Sequence, residues 1–310
     1  MYLLRKPILA LSSSTAVRDV LTKAPLTRSV VNRFIPGSTR SDAIACVADM
    51  HGKGLQVTLD HLGEDTLDEA DATATVDAYL DLLSELDRRN LAEGAEVSVK
   101  LSAVGQALPN KGHAIALDNA KLIATAAYTV GARLNLDMED HTTVDSTLEI
   151  LRDLRVDFPD TAIAIQAMLH RTDADLADLV HEGSRVRLVK GAYNEPATVA
   201  YQGPEAVDLA YVRAMKILMN GKGYPMIGSH DPRMIEIAGH LAKQAGRDKD
   251  SYEYQMLFGI RTDEQIRLAK AGNTVRVYLP YGADWYGYFT RRLAERPANL
   301  LFFARAVVGR

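Results

Sequence analysis

The sequence predicts a closed (β/α)8 barrel, in which eight parallel strands alternate with helices that cover their outer side. From Leu55 onward, strand-like and helix-like patterns alternate until eight strands have passed. A barrel of this kind takes about 250 residues, which the 310-residue chain provides after an N-terminal segment. No break divides the pattern into the two halves of a doubly wound sheet. We therefore assign residues 1–53 to an N-terminal helical arm and residues 54–310 to the barrel.

The eight predicted strands are short, apolar-rich runs bounded by turn residues. In chain order they are Leu55–Asp60, Glu96–Leu101, Arg133–Glu139, Ala162–Ala167, Val186–Lys190, Met226–Ser229, Ser251–Leu257 and Thr274–Leu279. Helical patterns lie between them. The first helix has apolar residues spaced along a single face, namely Val76, Tyr79, Leu80, Leu83 and Leu86.

Start and stop signals support the intervening helices. Asp231 followed by Pro232 predicts an N-cap and a first-turn proline. Thr262 and Gln265 have the spacing of a capping box, in which each side chain bonds the backbone N–H of the other residue. Glycine readily adopts the left-handed backbone that follows a helix C-terminus. We expect three glycines to end helices: Gly131, Gly183 and Gly272.

Polar residues alternate with aliphatic residues along several predicted strands. In the second strand Val97 and Val99 share one face, while Ser98 and Lys100 share the other. An ordinary barrel interior is filled by branched aliphatic residues, whereas here we expect the aliphatic face outward and the polar face inward. Because unpaired polar groups are costly to bury, they either pair with one another or line a cavity for a polar ligand. The charged residues lie late in their strands, where barrel active sites form, which favours the cavity.

Composition disfavours several classes of protein. The net charge is −4 and no basic stripe is present, which argues against a nucleic-acid partner. The single cysteine, Cys46, allows no internal disulfide and fits a reducing compartment. No window approaches the roughly 18 apolar residues of a membrane span. The sequence lacks the spacings typical of metal sites, of dinucleotide-binding glycine loops and of phosphate loops, so a nucleotide-like cofactor would be held by barrel loops.

The last predicted helix, Asp284–Glu295, places four polar residues on one face. Tyr288, Arg291, Arg292 and Glu295 are spaced three, four or seven residues apart, as neighbours on a helix surface are. Two arginines suit a carboxylate ligand because each guanidinium donates two parallel hydrogen bonds, and Glu295 would orient one of them. Spacing alone also fits a solvent-exposed face with a surface Arg291–Glu295 pair.

Three strand ends carry further candidates. Gly191, after the fifth strand, permits close backbone approach to a ligand, and Arg187 would face developing negative charge. An ordinary strand-to-loop turn fits the same two residues. Lys100 requires a cavity or a partner such as Asp137. His230 follows the sixth strand at the expected mouth of the barrel, where a capping or loop role fits equally well.

These segments together resemble the proline dehydrogenase family. The segments that carry the resemblance, in order and with compatible spacing, are LQVTLDHLGE, VSVKLSA, LNLDMED, AIQAM, RLVKGAY, GSHDP, YEYQMLFG and VRVYLPYG…YFTRRLAERPAN. The resemblance runs from about Val30 to Asn299. Its Tyr-x-x-Arg-Arg-x-x-Glu element is specific, the full set is more so, and both favour ligand binding over a surface pair for the two arginines.

The resemblance implies a distorted (β/α)8 barrel with FAD at the C-terminal ends of the strands. It implies oxidation of L-proline to Δ1-pyrroline-5-carboxylate, the first step of proline breakdown to glutamate, with electrons passed to a quinone. We expect a cytoplasmic enzyme, and quinone use implies transient contact with the inner face of the membrane. Since the chain has no room for the further modules of bifunctional relatives, we expect a monofunctional enzyme.

Site residues follow from the same resemblance. Three cations would clamp the proline carboxylate, with Glu295 holding the arginines: Arg291, Arg292 and Lys100. Asp137 would hold Lys100 or the pocket in place, and Arg187 would stabilise negative charge on the reduced flavin. The proline ring would pack against Leu257, Tyr278 and Tyr288. FAD would contact Met138, Gln166, Arg187, Val189, Lys190, Gly191, Ala192, Tyr193, Ser229, His230 and Gln255.

Several points stay open. Gly228-Ser229 stands where many relatives have Ala-Thr, and residues 194–205 match no basic cofactor-contacting segment, so contacts to the adenine end are unassigned. Asp137 and a bound water are the candidates for the acceptor of the amine proton. A barrel lyase or aldolase would instead use Lys100 or Lys190 as a Schiff-base nucleophile and need no flavin. A non-catalytic amino-acid sensor would keep the arginine clamp and reduce no acceptor.

Overall fold

The computed structural model describes residue 31 and residues 33–289. Its eight strands form a closed barrel in sequence order, and parallel pairing of the last strand with the first closes it. The strands are β1 Gln56–His61, β2 Glu96–Lys100, β3 Arg133–Asp137, β4 Ala162–Gln166, β5 Arg185–Val189, β6 Tyr224–Gly228, β7 Glu253–Leu257 and β8 Thr274–Tyr281. The predicted (β/α)8 barrel is confirmed, and the predicted strand limits lie within two residues of the observed ones.

Helices α2 to α8 connect consecutive strands. They are α2 Glu69–Arg88, α3 Gly112–Thr129, α4 Val144–Asp157, α5 Thr172–Ala177, α6 Pro204–Asn220, α7 Pro232–Gln244 and α8 Thr262–Lys270. Helix α1 Arg40–Gly52 precedes β1 and begins with a capping box formed by Thr39 and Asp42. It packs against β1 and β8, the two strands whose pairing closes the barrel. The division of the chain at residues 53 and 54 stays a prediction.

The strands direct their side chains as the alternation in the sequence predicts. Val57, Val97 and Val99 are fully buried in the apolar core that the strands share with the surrounding helices. On the opposite face, Arg187 of β5 donates a hydrogen bond to Ser98 of β2 at 2.9 Å. Because β2 and β5 are not neighbours in the barrel, this bond crosses the interior. Aliphatic residues therefore face outward and polar residues inward.

Most of the local helix signals are confirmed. Asp231 caps α7 by accepting from the backbone N–H of Arg233, and Pro232 occupies the first turn. Gly131 and Gly272 follow the ends of α3 and α8 with left-handed φ values of 77° and 83°.

Two local predictions were wrong. The N-cap of α8 is Arg261, with φ of 52°, and Thr262 is the first residue of the helix. The Gln265 amide donates to the backbone oxygens of Leu257 and Ile260 at 3.1 and 2.9 Å, so it holds the preceding loop and forms no capping box. Gly183 ends no helix, since α5 ends earlier and Gly183 lies in the turn that leads into β5.

Candidate active site

Asp137 is the last residue of β3 and the centre of a hydrogen-bond network inside the barrel. Its Oδ1 accepts from Ser98 at 2.7 Å and from Arg187 at 2.8 Å. Its Oδ2 accepts from the Tyr278 hydroxyl at 2.7 Å. Burial alone would raise the pKa of this carboxyl group, but the charges of Arg187 and Lys100 outweigh burial and lower it. Asp137 is therefore ionised at neutral pH.

Lys100, the last residue of β2, has its ammonium group enclosed by two carboxylates. Nζ lies 2.8 and 2.7 Å from the two oxygens of Asp60, and 3.8 Å from the nearest oxygen of Asp137. From the sequence we named Asp137 as a partner, yet Asp60 is the closer one. The strand register alone pairs Lys100 with Asp137 and aligns Asp60 with Ser98, two residues before Lys100 on the same inward face. Asp60 is nevertheless closer, and the oxygens of Asp137 are bonded by Ser98, Arg187 and Tyr278 instead. Burial lowers the pKa of Lys100, but Asp60 and Asp137 outweigh it and raise the pKa.

Arg187 of β5 lies across the interior from β2 and has a protein partner for almost every N–H group. Besides its bond to Asp137, Nε donates to Gln255 at 2.5 Å, Nη1 to Ser98 at 2.9 Å and Nη2 to Glu96 at 2.8 Å. Its guanidinium carbon lies 5.3 Å from the ring centroid of Tyr278. Within the described part of the chain, these bonds use four of the five N–H groups of a guanidinium. The orientation of Arg187 is thus set before any ligand binds.

Charged groups also pair with one another toward the N-terminal end of the barrel. Arg276 binds Glu253 at 2.7 Å, and Arg185 lies 3.6 Å from Glu96. From the sequence we favoured a ligand cavity over mutual pairing. For the strand interior described here that preference was wrong, because these side chains neutralise each other within hydrogen-bond distance or close to it. The groups at the C-terminal ends of the strands are the ones placed to meet a ligand.

Glu139, just beyond β3, is a buried carboxyl group to which we assigned no role from the sequence. Its oxygens accept from the backbone N–H and the hydroxyl of Ser102, at 3.0 and 2.5 Å. Burial raises the pKa of Glu139 to about 7, while the bonds from Ser102 and the charge of Lys100 oppose that shift. Near neutral pH the carboxyl group is therefore divided between its protonated and ionised forms.

Comparison with known proteins decides the family. The family model for proline dehydrogenase matches residues 43–305 of this chain. The chain is also 37% identical over 308 residues to proline dehydrogenase of Deinococcus radiodurans, covering 99% of this chain and 98% of that one. The chain belongs to the proline dehydrogenase family. The resemblance that its sequence motifs indicated is confirmed.

Other relatives agree with this assignment. Proline dehydrogenase 2 of Bacillus subtilis is 36% identical over 276 residues, which is 89% of each chain. Among solved structures, proline utilization A of Bdellovibrio bacteriovorus superposes with a TM-score of 0.78 at 24% identity. That match covers 86% of this chain and 32% of the longer protein. At such identity the likeness supports the fold alone.

Residues that the family resemblance assigns to cofactor contact lie at or just beyond the ends of β3 to β7. Gln166, which ends β4, donates to the backbone oxygen of Glu139 at 2.7 Å. Gly191, after β5, has φ of 118°, and a Cβ there would lie 2.4 Å from Sδ of Met168. The close approach observed at Gly191 is thus to a protein side chain. Four further members lie on or beside these strand ends: Met138, Val189, Ala192 and Tyr193.

The remaining members of this set have defined hydrogen bonds. Lys190 pairs with Asp208 at 2.5 Å and with Asp231 at 3.1 Å. Ser229 Oγ accepts from the backbone N–H of Asp231 at 3.2 Å. His230 Nε2 accepts from the backbone N–H of Leu257 at 2.8 Å, so Nδ1 carries the proton of the neutral ring. Gln255, already bound to Arg187, completes the set.

The residues assigned to the substrate are only partly within the described chain. Tyr278 packs against an apolar cluster that contains Tyr288, so the structure brings these two aromatic residues together. The other members of that cluster include Phe34 and Phe289. Leu257 is half-buried at the end of β7. Arg291, Arg292 and Glu295 lie outside the described residues, and their roles stay predictions.

Sequence reasoning assigned no role to two buried carboxyl groups near the C-terminal ends of the strands. Asp60 and Glu139 both lie on the inward faces that the alternation identified, but alternation does not show which residues meet across strands. A signal was nevertheless present, because an acidic residue ends the inward face of each neighbouring strand. Parallel strands place their C-terminal ends at the same rim, so acidic partners on both sides of Lys100 were to be expected.

The described residues contain neither a membrane-spanning helix nor a cluster of metal ligands. Among them, no helix has the length and apolar character needed to cross a membrane. In the same part of the chain, no group of three His, Cys, Asp or Glu side chains is arranged to hold a metal ion.

Proposed function

We propose that this protein is a proline dehydrogenase that oxidises L-proline to Δ1-pyrroline-5-carboxylate, with FAD as cofactor and a quinone as electron acceptor. The observation that carries the proposal is the Lys100 ammonium, which is buried at the C-terminal end of β2 and held by Asp60. A cation fixed in this way suits the carboxylate of a small amino acid. Family membership supports proline as that amino acid.

The donor set at the strand ends fits a flavin. Arg187 is oriented by its partners, which use four of its five N–H groups within the described residues. Gln166, Ser229 and His230 add polar groups along β4 to β6. FAD, when bound, would supply the acceptor for the hydride of the substrate. The contribution of the protein is then position and charge. Electron transfer to a quinone would bring this cytoplasmic enzyme into transient contact with the inner face of the membrane.

In this mechanism the interior network orients the substrate. Lys100, with Arg291 and Arg292, would fix the proline carboxylate, while Tyr278, Tyr288 and Leu257 pack against the ring. Fixing both ends of a small substrate removes most of its rotational freedom, which accounts for much of the rate acceleration in such reactions. The positive charge of Arg187 favours negative charge that develops nearby. Asp137 holds Arg187 and Tyr278 in place.

The network also bears on the proton that leaves the substrate amine. Asp137 has a lowered pKa and accepts bonds from Ser98, Arg187 and Tyr278, so it is a poor proton acceptor. These contacts favour a positioning role for Asp137. A bound water is then the remaining candidate for the acceptor of the amine proton.

The Schiff-base alternative is disfavoured by the surroundings of the two lysines. A nucleophilic lysine must lose its proton, so its pKa must be lowered. The pKa of Lys100 is raised, because the attraction of Asp60 and Asp137 exceeds the effect of burial. Lys190 pairs with Asp208 and Asp231. Both lysines are therefore better suited to binding anions than to attacking a carbonyl.

The visible absorption spectrum of the purified protein tests the proposal, recorded before and after anaerobic addition of L-proline. A flavin spectrum that bleaches with L-proline, and does not bleach with D-proline, is the expected result. A flavin that stays oxidised while proline binds would instead indicate the amino-acid sensor. Protein that holds no flavin after reconstitution with FAD would refute the dehydrogenase assignment.

A further inference from the structure

Asp60, the closer partner of Lys100, is the most completely enclosed charged group near that lysine. Its side chain is 1% exposed, against 10% for Lys100 and 14% for Asp137. Both of its oxygens accept from Lys100 Nζ, at 2.8 and 2.7 Å. Burying a carboxylate to this extent is costly unless it is paired. We therefore attribute the burial of Asp60 to its pairing with Lys100.

Asp137 does not serve the same purpose. Its two oxygens are used by Ser98, Arg187 and Tyr278, and its distance to Lys100 Nζ is 3.8 Å. That distance is beyond a hydrogen bond. Asp137 therefore contributes charge to the surroundings of Lys100, whereas Asp60 sets the position of its ammonium group.

The Asp60 contact divides the hydrogen-bonding capacity of the ammonium group. A lysine ammonium has three N–H donors, and two of them point at the oxygens of Asp60. The third donor has no hydrogen-bond partner among the contacts found in the described residues. A lysine chain is flexible and loses considerable rotamer freedom when it is fixed. The Asp60 contact removes that freedom before a ligand arrives.

We propose that Asp60 is a positioning residue of the substrate site, which fixes Lys100 so that its third N–H meets the carboxylate of the amino acid. This inference rests on the proposed function. Without the charge of Asp60, the nearest carboxylate to Lys100 is that of Asp137. The ammonium would then move toward Asp137 and compete with Arg187 and Tyr278 for its oxygens.

The test is the substitution Asp60→Asn, which keeps the shape of the side chain and removes its charge. We expect KM for L-proline to rise about tenfold or more, as for the loss of a hydrogen bond to a charged group, with a smaller change in kcat. Pyrrolidine is proline without its carboxylate, so kcat/KM for pyrrolidine should fall less than about twofold in the same variant. The control is Asp49→Asn on α1, which removes a surface pair with Lys53. It should leave the kinetic constants for both proline and pyrrolidine unchanged.

A merely structural role for Asp60 would lower kcat/KM for proline and pyrrolidine together, and that result would overturn the proposal. An unchanged or lowered KM for proline would overturn it too. A double-mutant cycle adds a second check. In a Lys100→Met background, Asp60→Asn should have almost no further effect on proline KM, whereas an undiminished effect would show that Asp60 acts without Lys100.

If Asp60→Asn does not fold, a crystal structure of the wild-type protein with a bound proline analogue decides the question. Lys100 Nζ bonded to both Asp60 and the ligand carboxylate supports the proposal, and a ligand carboxylate without contact to Lys100 overturns it. These outcomes are separate from those for the overall function. Wild-type protein whose flavin does not bleach with proline would refute the function, whereas bleaching with unchanged Asp60→Asn kinetics would refute only this inference.

Discussion

The carboxyl group of Glu139 accepts hydrogen bonds from both the backbone N–H and the hydroxyl of Ser102. Ser102 in turn binds the loop after β1, because its Oγ accepts from the backbone N–H of Asp65 at 3.0 Å and its carbonyl accepts from that of Thr66 at 3.2 Å. A single buried carboxyl group thus connects the end of β3 to the first loop at the C-terminal rim. Its protonation state therefore affects the stability of this rim.

The substitution Glu139→Gln should remove a pH-dependent loss of stability. The folded pKa of about 7 lies above the ordinary value of 4.5, so the folded state holds a proton that the unfolded state has released between these values. Stability therefore falls as pH rises through this window. Relative to the variant, the wild type should lose about 3 kcal/mol of unfolding free energy from pH 4.5 to 8. Urea unfolding at several pH values measures this difference. Glu149→Gln, at an exposed position of α4, is the control. Its difference in unfolding free energy from the wild type should not change with pH.

The substitution Arg187→Met should be strongly destabilising. It leaves Glu96 and Asp137 as buried carboxylates that have lost their closest cation. Removal of one partner from a buried ion pair typically costs about 3–5 kcal/mol. Urea unfolding should show a loss of this size for Arg187→Met. Arg213→Met, which removes a half-exposed arginine 3.5 Å from Asp173, should cost less than about 1 kcal/mol. Equal losses in the two variants would contradict the network described here.

The substitutions Gly191→Ala and Gly131→Ala test how closely the backbone at Gly191 is confined. Both glycines have positive φ, at 118° and 77°, so alanine is strained at either position. A Cβ at Gly191 would also lie 2.4 Å from Met168, whereas nothing lies within 4 Å of one at Gly131. We expect Gly191→Ala to cost about 1–3 kcal/mol more than Gly131→Ala, because Met168 must move aside and because φ of 118° lies further than 77° from the left-handed region open to alanine. Thermal unfolding of the two variants measures the difference, and equal costs would indicate that Met168 moves aside freely.

The substitution Arg291→Ala tests the predicted carboxylate clamp. Loss of a bidentate guanidinium contact should raise KM for L-proline by about 10- to 100-fold. Flavin content should stay that of the wild type, because the arginine is assigned to the substrate. Arg267→Ala on α8 is the control: it removes an exposed arginine paired with Glu264 and should leave KM unchanged. Unchanged proline kinetics in Arg291→Ala would show that the clamp assignment is wrong.

The strands and most helices were predictable because their signals are local. Alternation in a stretch such as Val97, Ser98, Val99 and Lys100 depends only on the two-residue period of a strand. Asp231 and Pro232 similarly act within one helical turn. The capping box proposed for Thr262 and Gln265 was wrong because a tertiary contact prevailed. Gln265 instead satisfies backbone oxygens of the loop that leads from β7 to α8.

The partners inside the barrel were less predictable. Lys100 is separated from Asp60 by 40 residues, and Arg187 from Glu96 by 91. Which inward residues meet depends on the strand register and on contacts between strands on opposite sides of the barrel. Neither can be inferred from a short segment of sequence. The preference for a cavity over mutual pairing was wrong for the same reason. Each strand viewed alone had unpaired charges, whereas the closed barrel placed opposite charges side by side.

The sequence by itself determined the barrel, the inward direction of its polar residues and the family, because periodicity and motifs are properties of consecutive residues. Only the tertiary structure decided that Asp60 holds Lys100, that Asp137 is saturated by donors from β2, β5 and β8, and that Glu139 has a pKa of about 7. The physical reason is that charge interactions depend on distance and burial. Both quantities are set when eight strands close around one axis.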